Sequence, residues 1–259
     1  KKVLELHFNK YFRLQYGRHG LLGLSDRLRT RQDEKIVRKF DSFVVLTEED
    51  KGYWGELPNI ETIPNAAITT EASRSDCTAH RVIAVGRLDY QKGFDRLIET
   101  WSIVKEDSEY SDWQLDIFGQ GEWKDMLERM IQEKGLGDSA HINRPTNDIW
   151  NEYARSSMLV MSSHFEGLPM VLIEAMTCGL PAVTFDFKCG PKDIIEDGKN
   201  GLLVPEGNVQ ALAEAMKKLM SDESLRRKMG TEALKIKEKY AEEAVMSRWI
   251  QLFKRLTLK

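Results

Sequence analysis

Three loops of this sequence carry residues that could do chemistry, and all three suit a ligand that is anionic and rich in hydroxyls. In VGRLDYQKG, Gly86 closes an apolar run and is followed by Arg87 and, five positions on, Lys92. Two fixed cations beside a glycine turn match the adjacent negative charges of a diphosphate. A solvated basic loop is the plainer reading of the same residues. In SSHFEGLPMVLIEAMTCGLP, Pro169 suits the first helical position, which leaves the amides of Met170, Val171 and Leu172 as unpaired donors at a positive helix end. Glu166 stands just before that end and Glu174 one turn inside it. Either carboxylate could simply compensate the helix dipole. Yet Glu174 lies in an otherwise apolar helix, where a buried acid needs a partner, and ribose or sugar hydroxyls pair well with a carboxylate. Gly167 leaves room for a ligand to approach the backbone. The third loop, FGQGE, holds Gly119 and Gly121. It lacks the third glycine of a dinucleotide fingerprint and follows the second strand of its domain, which counts against a dehydrogenase.

The elements that must position these loops repeat as strand, turn and helix from residue 80 onward. HRVIAVGRL, WQLDIFGQG, AHINRP, MLVMSS, LPAVTFD and GLLVPEG read as strands. FDRLIETWSIVKED, EWKDMLERMIQEKGL, NDIWNEYARSS, PMVLIEAMTCG and NVQALAEAMKKLMSD read as helices between or after them, and KDIIEDGKNG as a short helix and turn. The alternation predicts an α/β fold, a doubly wound parallel sheet covered on both faces, with ligands at the carboxyl ends of its strands. All three chemical loops occupy such ends. The last stretch, AEEAVMSRWIQLFKRL, aligns Val245, Trp249, Leu252, Phe253 and Leu256 in one stripe. Upstream, KKVLELHF, FDSFVVLTEED and NIETIPNA read as three strands of a separate domain, with a basic helical segment after the first. The expected division is 1–66 and 67–259, with TTEASRSDCTA as a polar linker.

Composition bounds the rest. A chain of 259 residues with a formal charge of −3 can bury a substantial core and shows no bias toward nucleic acid. No apolar stretch approaches the run of about 18 residues that a membrane span needs, and no secretory signal opens the chain. Cys77, Cys178 and Cys189 share no close spacing, which argues against a disulfide framework or a metal site and for a reducing, cytoplasmic setting. The chain does not begin with Met, and KKVLELH already reads as a strand, so it is expected to begin inside a domain. Residues 1–40 hold eleven Lys and Arg against four Asp and Glu. A solvated face is the bland reading; attraction to an anionic acceptor or to the inner face of a membrane is the sharper one.

Taken together, VGRLDYQKGFDRLI, FGQGEW, SSHFEGLPMVLIEAMTCGLPAV and EDGKNGLLV resemble the C-terminal, donor-binding half of family 4 retaining nucleotide-sugar glycosyltransferases, which have the GT-B fold. The most specific mark is the pair of glutamates in S-x-x-E-G-L-P-x-x-L-x-E-A, where Glu166 and Glu174 stand. The resemblance spans residues 40–259, counting TIPNA, which is similar to the family's crossover between domains. It implies that Arg87 and Lys92, beside Gly86, bind the donor diphosphate and offset its growing charge as it leaves. It implies further that the amides around Gly167, Leu168, Met170 and Val171 hold phosphate and sugar oxygens. By the same resemblance Glu166 contacts the transferred sugar, Glu174 the ribose, and Arg144 and Pro145 flank the base, with Gly119 and Gly121 in the donor loops. His7 matches a family histidine that faces the donor sugar; as a lone histidine a structural role is equally open, and His19, His80, His141 and His164 read as structural. No metal and no cofactor besides the nucleotide sugar, with uridine the family's commonest base, is implied.

The function so implied is transfer of a sugar from a UDP-sugar to a carbohydrate or lipid-linked acceptor hydroxyl, in cell-surface polysaccharide or glycolipid synthesis. Other GT-B enzymes share the architecture, so a nucleotide-sugar epimerase, a phosphorylase or a non-catalytic nucleotide-sugar-binding module are the competing readings.

Overall fold

The computed structural model describes residues 1–68 and 74–258, which form two parallel sheets. The first is built from β1 (Val3–Leu6), α1 (Gly20–Val37), β2 (Ser42–Val45), α2 (Glu48–Trp54) and β3 (Ile60–Thr62), with strand order β1-β2-β3. The second runs β4 (Arg81–Val85), α3 (Phe94–Lys105), β5 (Gln114–Phe118), α4 (Lys124–Glu133), β6 (Ala140–Asn143), α5 (Ile149–Ala154), β7 (Met158–Met161), α6 (Met170–Thr177), β8 (Ala182–Phe185), α7 (Pro191–Ile194) and β9 (Gly201–Val204). It is followed by α8 (Val209–Ser221), α9 (Glu223–Ala233), α10 (Lys237–Tyr240) and α11 (Glu242–Thr257). The six strands lie in the order β6-β5-β4-β7-β8-β9, so the winding reverses between β4 and β7. Loops leaving those two strands diverge to opposite faces, and the crevice between them is where such sheets take ligands.

Apolar strands buried on both faces explain the sheet. Every residue of MLVM in β7 and AVTF in β8 is buried, which only helices on both faces can achieve. On α3 the buried Phe94, Leu97, Ile98, Trp101 and Val104 follow helical spacing and face the sheet. Asn208 caps α8 through Ala211 N at 3.0 Å and Asp222 caps α9 through Leu225 N at 2.8 Å. The sequence reading did not assign α2, α9 or α10, whose apolar periodicity is short and interrupted by charge.

One expectation is corrected and another is refined. Of the expected linker, residues 69–73 lie outside the described residues, and the part after them carries no helix or strand but is partly buried. Ser75 and Cys77 are buried, with Ser75 N donating to Cys178 O at 2.9 Å and Cys77 N to Ser75 Oγ at 2.9 Å. Ser75 thus serves the ends of other elements, while Arg74 and Asp76 face solvent. On α11, Val245 and Leu252 are buried against Val44 and Ile63 of the first sheet, with Trp249 and Leu256 beside them, whereas Phe253 is exposed. One residue on a helix is a rotation of roughly 100°, so Phe253 falls with Met246 and Ile250 on the outer face.

The final helix thus returns to the first sheet, and polar contacts tie the two sheets near the crevice. Asp193 of α7 accepts from Glu48 N at 3.0 Å and Glu49 N at 3.3 Å, capping α2, while Glu49 accepts from Cys189 N at 3.0 Å. Leu252→Ala should therefore cost about 2–5 kcal/mol, and Phe253→Ala about 0.5 kcal/mol or less. Urea unfolding of the two variants checks this ordering, and equal losses would contradict the assignment of faces.

Candidate functional site

The loop after β4 is held in shape by its own short side chains. Leu88 is fully buried, and Asp89 accepts from Lys92 N at 3.3 Å to cap a single 3-10 turn, Tyr90–Lys92. That turn folds the Lys92 stem back over Gly86, where a Cβ would lie 3.0 Å from it. The neighbouring loop is equally close: a Cβ on Gly119 would stand 2.0 Å from the Gly86 carbonyl, so only glycine lets the ends of β4 and β5 meet.

Lys92 reaches across to the loop after β7 and pairs with Glu166, Nζ to Oε1 at 2.7 Å, with both side chains largely buried. Ser163 Oγ donates to the same oxygen at 2.9 Å, and Gln91 Nε2 donates to Oε2 at 3.0 Å. The other end of Gln91 accepts from Arg87 at 2.8 Å, so one amide joins Arg87 to the glutamate loop that Lys92 reaches directly. Arg87 itself is two-thirds exposed and also pairs with Asp89 at 3.2 Å, which leaves its guanidinium at the surface of the crevice.

The loop also touches the first sheet. The Glu166 carbonyl accepts from Asn9 Nδ2 at 2.7 Å, and a Cβ on Gly167 would stand 2.2 Å from the His7 carbonyl. The space at Gly167, expected for a ligand, is therefore filled by the backbone that follows β1. The predicted start of α6 also shifts. Pro169 is the residue before the helix, and its carbonyl takes Leu172 N at 3.0 Å. Within the first turn of the helix Met170 and Val171 have no recorded backbone acceptor, while Leu168 is buried beneath it.

Glu174 lies one turn into α6 on the wall of a cavity of about 400 Å³ at the ends of β4 and β5. Gly86, Arg87, Gly119, Gln120, Pro145, Thr146 and Tyr153 share that wall, with Val85, Phe118 and Ile149 as its apolar part. Burial raises the Glu174 carboxyl pKa, opposed by the Tyr153 hydroxyl and the Lys92 ammonium. Arg144 is exposed and does not line the cavity, and Gly121 instead packs on the Leu88 carbonyl. His7 joins the site by its backbone; its imidazole is more than half exposed and lies 3.5 Å from Glu5. His164 stacks on Tyr90 with ring centroids 4.2 Å apart, and burial lowers its pKa. His80 stacks on Trp113 and His141 meets Gln114, in keeping with structural roles.

Comparison with known proteins fits this arrangement. The family model described as glycosyl transferases group 1 matches residues 68–236. This chain belongs to that family. Among curated relatives, the amylovoran biosynthesis glycosyltransferase of Erwinia amylovora is 35% identical over 81% of the chain and 61% of its own length. An exopolysaccharide phosphotransferase of Streptomyces coelicolor is 36% identical over 83% of the chain but 23% of its own length. The poly(ribitol-phosphate) α-N-acetylglucosaminyltransferase of Staphylococcus aureus is 32% identical over 86% of the chain and 46% of its own length. The chain thus spans less than two thirds of the length of each of these relatives. Among solved structures, a mutant of Staphylococcus aureus TarM in complex with Fondaparinux, α-GlcNAc-glycerol and UDP superposes with a TM-score of 0.83, at 26% identity over 98% of the chain and 50% of TarM. Sucrose-phosphate synthase of Thermosynechococcus elongatus, at 20% identity, has the same fold with a TM-score of 0.83. The α/β, parallel-sheet expectation therefore holds in its specific form, a GT-B architecture of which this chain covers the C-terminal domain.

In this group 1 glycosyl transferase, sequence reasoning overlooked Gln91, Ser163, Tyr153 and Asn9. Ser163 and Gln91 were legible only as loop residues next to charged ones, and Tyr153 only as one more apolar position on α5. Lys92 and Arg87 also differ more than their shared charge suggests. Removing Lys92 leaves a buried carboxylate short of its cation, so Lys92→Ala should cost about 3 kcal/mol, and Arg87→Ala, at an exposed position, about 0.5 kcal/mol or less. Denaturant melts of both variants test this, and a Lys92 variant as stable as wild type would overturn the view of Lys92 as a structural member of the site.

Proposed function

We propose that this chain is the donor-binding part of a retaining, family 4 glycosyltransferase that moves a sugar from a nucleoside-diphosphate sugar, with UDP as carrier, to an acceptor hydroxyl. In this reading residues 67–259 form the nucleotide-sugar domain, ending in the crossover helix α11, and residues 1–66 belong to the acceptor side. The observation that carries it is that Arg87 and Glu174 line one cavity at the strand ends, while Gln91 ties Arg87 to the buried Lys92–Glu166 pair in the loop that leads into α6. Cations and helix-end amides together suit a diphosphate. The polar floor and apolar wall of the cavity suit a ribose with a base against Pro145 and Ile149.

The chemistry follows from which charges are free to respond. As the bond between the sugar and the diphosphate breaks, negative charge builds on the leaving phosphate. Arg87 and the α6 amides would meet it, with the Lys92 ammonium held behind them by Glu166, which is electrostatic catalysis. Glu166 already accepts three protein hydrogen bonds, one from a cation, which makes it a poor nucleophile. It is better suited to orient the sugar, and retention would then proceed on one face of the ring without a covalent intermediate on Glu166. The same fixed cations stand where a metal would otherwise neutralise the diphosphate, so activity independent of added metal is expected.

Relatives named for polysaccharide and teichoic-acid-type polymers support an acceptor of cell-surface polysaccharide or glycolipid character. On α1 the exposed Leu21, Leu22, Leu24 and Leu28 lie among Arg27, Arg29 and Arg31, a composition suited to the anionic inner face of a membrane. No helix among the described residues is long and apolar enough to cross one.

Calorimetric titration with UDP, GDP and ADP, with and without EDTA, tests the donor site. One nucleotide should bind, unaffected by EDTA, and Arg87→Ala should weaken it about tenfold or more, the loss of one charge-assisted contact. Binding of none, or binding abolished by EDTA, would contradict the proposal.

A further inference from the structure

The two glutamates of this site differ in a way that points to a residue outside the motif that holds them. Glu166 already accepts three hydrogen bonds, from Lys92, Ser163 and Gln91. Among the described residues the Glu174 carboxylate has no hydrogen bond of ordinary distance and angle, although it lines the cavity and the Tyr153 hydroxyl lies close enough to lower its pKa. Facing it from α5 is Tyr153, a fully buried side chain whose hydroxyl has no hydrogen-bond partner. Burial and then the Glu174 carboxylate push that phenol well above its ordinary pKa, so it stays protonated and available as a donor. A buried hydroxyl without a partner is rare, because the group has given up water for nothing.

We propose that Tyr153 is the positioning residue of Glu174. Its hydroxyl donates to the carboxylate once a ligand fills the cavity, and this turns the remaining acceptor lone pairs toward the vicinal diol of a ribonucleotide. The inference rests on the nucleotide reading above, with its ribose contact at Glu174, and adds Tyr153 as the residue that makes that contact discriminate ribose from deoxyribose. A carboxylate free to rotate would accept from one hydroxyl as well as from two. One oxygen anchored by Tyr153 presents the carboxylate for a bidentate contact that only adjacent hydroxyls complete. Tyr153 can be tested cleanly because Phe removes one oxygen and keeps the ring that packs at 6.0 Å from Trp150.

The experiment titrates the protein with whichever of UDP, GDP and ADP binds, and with its 2′-deoxy form, using wild type, Tyr153→Phe, Glu174→Gln and the double variant. Wild type should prefer the ribonucleotide by about tenfold or more. Tyr153→Phe should lose most of that preference while weakening the deoxy form little, and the double variant should be no worse than Glu174→Gln alone. A Tyr153→Phe protein that keeps the wild-type preference, or weakens both forms equally, overturns the positioning role even if it unfolds more easily. If wild type binds no nucleotide, the donor-site reading has failed and this inference with it, an outcome distinct from a variant that binds without altered preference.

Discussion

A carboxylate can stay charged inside a protein only if other donors replace the water it has lost. Glu166 obtains three, from Lys92, Gln91 and Ser163, and each comes from a loop at the carboxyl end of β4 or β7. The pair Lys92–Glu166 therefore joins the two strands at which the sheet reverses its winding. Much else at the crevice is arranged around it. The 3-10 turn capped by Asp89 delivers Lys92, Gly86 gives its stem a path, and Gln91 extends the network outward to Arg87. What reads in sequence as two similar cations becomes one inner residue that organises the site and one outer residue free to meet a ligand.

The same loop carries the junction with the first sheet. Asn9 donates to the Glu166 carbonyl, and Gly167 admits the His7 carbonyl to a distance no side chain would permit. Nearby, Asp193 caps α2 and Glu49 holds Cys189 N, while α11 buries Val245 and Leu252 against Val44 and Ile63. Movement of one sheet relative to the other would thus be felt directly at the glutamate loop. A glycine that suggests an opening for ligand in fact marks contact between the two parts of the molecule.

Glu174 shows the opposite economy of contacts. Its position on α6 is set by burial of Leu172, Ile173 and Ala175 against the sheet, yet its carboxylate faces the cavity with an unpartnered tyrosine hydroxyl as neighbour. One acid is completed by the protein and the other is left for something else to complete. That asymmetry separates a carboxylate held rigid by the protein from one left with most of its acceptor capacity open, and neither state follows from residue type, since both are glutamates.

The sequence by itself determined the architecture and the place of the site. Alternating apolar strands and amphipathic helices can be buried only as a wound parallel sheet, and the glycines, cations and glutamates fall at strand ends wherever the exact boundaries lie. These are local properties, set by periodicity and by the one-dimensional order of residues. The tertiary structure alone decided which partners those residues take. Lys92 and Glu166 are 74 positions apart, as are Gln91 and Phe165, while Asn9 and Glu166 are 157 apart. Tyr153 meets Glu174 only because α5 and α6 line the same cavity. Phe253 was misplaced on the buried stripe for a related reason: a helix sequence shows that it has an apolar side, but where that side ends depends on the surface it packs against. Such contacts depend on distances between strands and on burial, and no local pattern in the chain encodes either.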